Sequence, residues 1–154
     1  MARSILATLL LAAACAAPQA RQHSIAARAH APDTRQAVRF PQPLRDHTLA
    51  NMRDHLATLQ EIQDAMARGA WDAASHLAEH RLGLSSLEAH GAPDVAPHMP
   101  GGMQQAGMAM HKAASRFAIE AANTGATGDA KPAIAALSTL TAQCVACHAA
   151  YRLE

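Results

Sequence analysis

Apolar residues recur every three or four positions through four separate stretches of this chain, and Gly or Pro interrupts the pattern between them. From about Pro43 to Arg68 the stripe is Leu49, Met52, Leu56, Leu59, Ile62 and Met66, and Gly69 ends it. From about Ala70 to Ala89 it is Trp71, Ala74, Leu77, Leu84 and Leu87, stopped by Gly91, Pro93 and Pro97. The third stretch starts near Gly102 with Met103, Ala106, Met110, Ala113, Phe117 and Ala121, and ends between Asn123 and Gly128. The fourth is capped by Asp129, tolerates Pro132 in its first turn, and carries Ile134, Leu137, Thr141, Cys144, His148 and Tyr151. Four amphipathic stretches with mostly short connections predict an all-α fold, an up-down-up-down four-helix bundle over residues 43–154. Alanine and leucine supply much of the apolar half of the chain and aromatics only 3%, which favours helix over sheet.

The chain before that domain reads differently. Arg3 and the short apolar run Ile5 to Ala14 form a secretory signal over residues 1–20, too short to span a bilayer, with cleavage after Ala16 or Ala20. Leu11-Ala12-Ala13-Ala14-Cys15 also resembles a bacterial lipoprotein box, so a lipid anchor at Cys15 stands beside ordinary cleavage. Both place the mature protein outside the cytoplasm, in the periplasm, with no transmembrane span in the mature chain. Residues 21–42, with Pro32, Asp33 and Pro41 and no periodicity, are expected to be a flexible linker. A formal net charge of +1 gives no reason to expect nucleic acid as a partner.

Chemistry concentrates in Cys144-Val145-Ala146-Cys147-His148. C-x-x-C-H is the attachment sequence of c-type haem: two thiols reach the vinyl groups on one porphyrin edge, and the following histidine presents a nitrogen to the iron. On a helix Cys144 and His148 share a face, so ring and proximal ligand ride on one rigid element. A thiol–disulfide site would want a βαβ setting, and a zinc site a fourth ligand; the sequence offers neither, with no strands expected. No phosphate loop, nucleophile elbow or acid–base pair appears, so an electron-transfer haem protein rather than an enzyme is expected.

The run from Cys144 to Arg152, C-x-x-C-H-x-x-Tyr-Arg in the last helix, resembles class II c-type cytochromes, the cytochrome c-prime group. Asn51-Met52-Arg53-Asp54-His55-Leu56 is similar to the start of the soluble, non-covalent cytochrome b of the same fold, in which a first-helix methionine binds iron. The resemblance covers roughly residues 43–154. It implies one covalent haem c with its iron near one end of the bundle, redox partner proteins of a respiratory or related chain, and a homodimer through helices one and two. In such a bundle Met52 and His148 lie at similar depths, ~13 and ~9 Å at ~1.5 Å per residue, which makes Met52 the expected distal ligand opposite His148. The competing expectation for Met52 is a plain core methionine.

Around this centre, Tyr151 is expected to pack near the haem, and Arg152, Arg45 or Arg53 to pair with a propionate. His55 is expected on the surface beside the stripe, with bis-histidine ligation as its other reading. Met99 and Met103 are reserve ligands. The residue types of His98, Met99, Met103, Met108, Met110 and His111 suit copper, but Met103 and Met110 already belong to the core stripe; His76 and His80, four apart on one face, are explained by an exposed polar helix face more simply than by a surface metal pair. Two other functions remain open from the sequence. One is a five-coordinate haem protein that binds nitric oxide or carbon monoxide; the other is a haem-free helical module with a redox or metal-binding C-x-x-C.

Overall fold

The computed structural model describes residues 32–154, so the expected signal segment and Cys15 lie outside the described residues. Strand β1 (Gln36–Val38) comes first, then helix α1 (Gln42–Ala67) and helix α2 (Trp71–Arg81). A connection follows that contains a 3-10 turn (Leu84–Ser86), the short helix α3 (Ala92–Val95) and a second 3-10 turn (Ala96–His98). Helix α4 (Gly101–Thr127), helix α5 (Lys131–Ala150) and strand β2 (Tyr151–Leu153) complete the chain. The all-α class expected from the apolar spacing is therefore present, with a small strand pair added.

Pro41 and Pro43 open α1, where a missing N–H leaves no helical bond unmade. Gly69, at φ +71, ends it: its left-handed turn lets the Ala70 amide reach the Ala65 carbonyl at 2.8 Å. Gly128, at φ +78, does the same for α4; the N-cap of α5 is Ala130 rather than the expected Asp129, whose carboxylate sits one residue earlier and accepts the Lys131 amide at 3.0 Å. Helix α2 stops at Arg81, eight residues before the expected end at Ala89. There the Leu82 and Gly83 carbonyls turn inward to accept from a buried side chain of α4, and Leu84 is left 42% exposed rather than in the core.

The helices pack in the sequence α1 on α2, α2 on α4 and α4 on α5, with no comparable packing of α1 on α5. Their shared core is built from small residues (Ala65, Ala74, Ala78, Ala114, Ala121, Ala133) around fully buried Ile62, Leu82, Phe117 and Leu140. Alanine at these positions lets helix axes approach closely, and Phe117 fills what remains. Arg81 ties α2 to α1 through Asp54 and, at 2.6 Å, Glu61.

Two expectations fail here for physical reasons. The apolar stripe of α1 reaches the core only in its second half, where Ile62 is buried and Leu59 and Met66 pack against it; the buried face as a whole, Thr48, His55, Thr58, Ile62 and Ala65, is rotated by roughly 80° from the stripe at ~100° per residue. Thr48 and Thr58 each donate to the carbonyl four residues back, at 2.7 and 2.8 Å, so their hydroxyls are satisfied inside the helix and can be buried. Leu56 is left 71% and Met52 36% exposed. The linker expected over residues 21–42 is also structured within its described part. β1 pairs in parallel with β2, Gln36 opposite Tyr151 and Val38 opposite Leu153, so the chain does contain strands. Val38 and Phe40 are buried with Met103, against Leu44, Met99, Tyr151 and Leu153. Tyr151 therefore leaves the helix for this second cluster rather than continuing the α5 stripe.

The ladder joins the entry to α1 and the exit from α5. Helix α5 is long and apolar enough to cross a bilayer by length and composition alone, and 11% of its most apolar window is buried. Its Ala133 and Leu140 nevertheless sit wholly inside the common core.

Candidate functional site

The inward face of α5 runs through Ala133, Leu140, Cys144 and His148. Burial falls along it: Leu140 is fully enclosed, Cys144 is half-buried and His148 is exposed. The core face thus runs out into open space at the C-x-x-C-H segment, on the side where α1 and α5 do not pack. The Cys144 thiol points back along its helix to the Leu140 carbonyl at 3.7 Å. Burial pushes the Cys144 and Cys147 thiols up, the latter also through its neighbour Cys144. Both are free. Near the C-terminal, negative end of a helix a thiolate is further disfavoured. Thiols held up in this way are poorer nucleophiles than a reactive redox pair requires.

Beside this end lies a cavity of about 360 Å³ formed by α1, the α2–α4 connection and α4. Met52, Met99, Met108 and Met110 give it a soft apolar wall, and Asn51, His55, His90 and His111 bring polar groups. Cys144, Cys147 and His148 are not among its lining residues. His148 is nonetheless close enough to act electrostatically on His55.

His55 is not on the surface: it is 8% exposed, and its Nε2 is buried without a hydrogen-bond partner. Burial holds its pKa down at about 4, helped by His90, His111 and His148 and opposed by Asp54. His111, also 8% exposed, is the side chain that meets the end of α2. Its Nδ1 contacts the Leu82 and Gly83 carbonyls at 2.8 and 3.2 Å, and since carbonyls only accept, Nδ1 carries the proton. His90 Nδ1 lies 3.3 Å from Ser86 Oγ, whose own proton goes to the Gly83 carbonyl, so His90 Nδ1–H is the donor there. Burial, then His111, lowers the His90 pKa. Asn51 donates to the His90 carbonyl at 3.1 Å and pins the connection to α1.

The remaining expected residues are dispersed. Met52 lines the cavity, but α5 ends at Ala150, so His148 lies ~3 Å from its helix end and Met52 ~15 Å into α1 at ~1.5 Å per residue. The close match of depths expected from the sequence is lost. Tyr151 packs with Val38, Phe40 and Met103, and a Cβ on Gly102 would collide with its hydroxyl. Arg152 pairs with Glu154 at 2.8 Å, and Arg45 with Asp46 at 3.7 Å. Met99 lines the cavity, whereas Met103 is buried in the second cluster. The His76 and His80 rings lie 4.3 Å apart, tilted by 42° to one another. Among the described residues, no three His, Cys, Asp or Glu side chains already stand in an arrangement that could hold a metal ion.

The grouping of His55, His90 and His111 was not legible in the sequence, because it joins α1, the connection and α4. No protein-family model matches this chain, and neither a curated protein nor a solved structure matches it.

Proposed function

We propose that this chain is an exported, periplasmic monohaem c-type cytochrome of the class II kind, a helical-bundle electron carrier rather than an enzyme. The observation that carries the reading is the C-x-x-C-H segment, placed where the inward face of α5 passes from core to open space. The residues present fit the group: Cys144 and Cys147 would hold haem c by thioether bonds, and His148 would be the proximal iron ligand. Met52 is the proposed distal ligand, since it lies at the cavity wall with its thioether accessible, and it would favour an electron-transfer potential. When bound, haem supplies a one-electron iron couple.

The chain's own residues would do the rest. Leu56 and Met52, apolar and exposed on α1, supply surface that a planar apolar group would cover. The β1–β2 ladder fixes the entry to α1 against the exit from α5, so the two ligand-bearing helices cannot drift apart. Tyr151 and Arg152 belong to that ladder, so support of the motif from outside the helix is their proposed role. Helix α5 is read as a packed helix, since Ala133 and Leu140 anchor it in the core. Partners would be redox proteins, and a second copy of the chain would be met through α1 and α2.

A second reading, a five-coordinate haem protein binding nitric oxide or carbon monoxide, is favoured by the cavity of about 360 Å³ beside the motif. Optical spectra of protein expressed with a haem-attachment system test both. Sharp reduced α and β bands that ignore carbon monoxide support the carrier, and their loss in Met52→Ala supports the ligand. A broad spectrum that shifts with carbon monoxide favours the open site. Absence of covalent haem on a denaturing gel overturns both.

A further inference from the structure

We propose that His55, His90 and His111 form a second metal site, a three-imidazole site for a divalent cation of zinc's class with one coordination position open to the cavity. The ring centroids are 4.7 Å (His55–His90), 5.4 Å (His90–His111) and 6.4 Å (His55–His111) apart. Imidazole nitrogens about 2.0–2.1 Å from a tetrahedral zinc put ring centres about 3.2 Å from the metal, hence about 5.2 Å from one another. The observed triangle brackets that value.

Proton placement points the same way. His111 and His90 both commit Nδ1–H to oxygen acceptors, the Leu82 and Gly83 carbonyls and Ser86 Oγ, which leaves each Nε2 with a lone pair. A ligating histidine held through its other nitrogen by a carbonyl or hydroxyl is the usual support of a metal site. His55 adds an Nε2 that is buried and without a partner, a cost that coordination would remove. Desolvation keeps His55 and His90 neutral, the form a metal needs, and Asp54 supplies nearby negative charge. As they stand the three side chains do not make up a group that could hold a metal ion. His55, whose Nε2 holds no hydrogen bond, is the ring that must turn on binding, while His90 and His111 keep their Nδ1–H bonds, and the cavity that His55 lines adjoins it.

This site does not depend on the haem reading, and its test is separate. The full chain as purified is stripped with chelator, then titrated with zinc and analysed for metal after gel filtration. One zinc per chain held with micromolar or tighter affinity is expected, with three imidazoles in its X-ray absorption spectrum and a raised melting temperature. His90→Gln and His55→Gln should each weaken binding about tenfold or more. His111→Gln also removes the cap on α2, so His90→Gln, on the connection, carries the test if that variant fails to fold. His76→Gln with His80→Gln should leave the affinity unchanged. Zinc bound only weakly, indifferent to His55 and His90, or lost with the His76 and His80 pair would overturn the proposal.

Discussion

Acidification from neutral pH should destabilise this protein through His55. The imidazole is 8% exposed and its pKa is held at about 4, by burial first and by His90, His111 and His148 after it, with Asp54 pulling the other way. In the unfolded chain it returns to the ordinary 6.5. Between these values the unfolded state binds more protons than the folded one, so stability rises with pH in that window. The contribution is complete above pH 6.5, falls as pH drops toward 4, and is gone below it. At ~1.4 kcal/mol per unit, the whole window is worth about 3 kcal/mol, and the step from pH 7 to 5 about 2 kcal/mol. His90, lowered by burial and then by His111 and His47, adds to it with the same sign.

Urea unfolding with chelator present, at pH 7 and pH 5, measures this directly. The midpoint should fall by roughly 1 M over that step for a protein of this size. His55→Leu keeps an apolar group in the space and removes the proton site, so its midpoint should move much less over the same step. Equal pH dependence in the two proteins would mean that His55 is solvated in the folded state, and the reasoning from burial would be wrong. A proton NMR titration of the His55 ring, with a midpoint near 6.5, would refute it equally.

Three further outcomes follow from the packing. Phe117→Ala empties the centre of the core and should cost ~3–5 kcal/mol in the same urea assay, because Phe117 is fully buried among alanines that cannot collapse into the gap. Gly83→Ala would put a Cβ 2.7 Å from the Glu79 carbonyl, and should lower the melting temperature by an amount equivalent to ~1–3 kcal/mol. Val38→Asp places a charge at a position 3% exposed, and should open the strand pair, seen as faster amide exchange at Leu153 and Glu154 with the helices still protected.

How much of this was legible in the sequence depends on how far each feature reaches along the chain. The start of α1, its Gly69 terminus and the start of α5 just after Asp129 are local matters of backbone chemistry, and the structure forms them within a residue or two of expectation. The end of α2 is not local: it is set by His111, 28 residues beyond Gly83, so no reading of residues 70–89 alone could place it. The strand pair had a weak local signal, the alternation of buried Val38 and Phe40 with exposed Ala37 and Arg39. Its partner lies at the other end of the chain, and strands of three residues give propensity little to act on.

The apolar stripe of α1 shows the deeper reason for the misreading. Periodicity counts hydrophobic side chains, but burial asks only that every group inside be satisfied. Thr48 and Thr58 satisfy themselves within their own helix, so the face they occupy can turn inward while Leu56 turns out. A chain that leaves a leucine 71% exposed while burying two threonines and a histidine is not explained by its own core. The C-x-x-C-H segment was legible because its three functional groups ride on one helix with fixed spacing. Whatever faces it must come from other elements, and the exposed Met52–Leu56 edge with the half-satisfied histidines behind it is the part that only folding assembles.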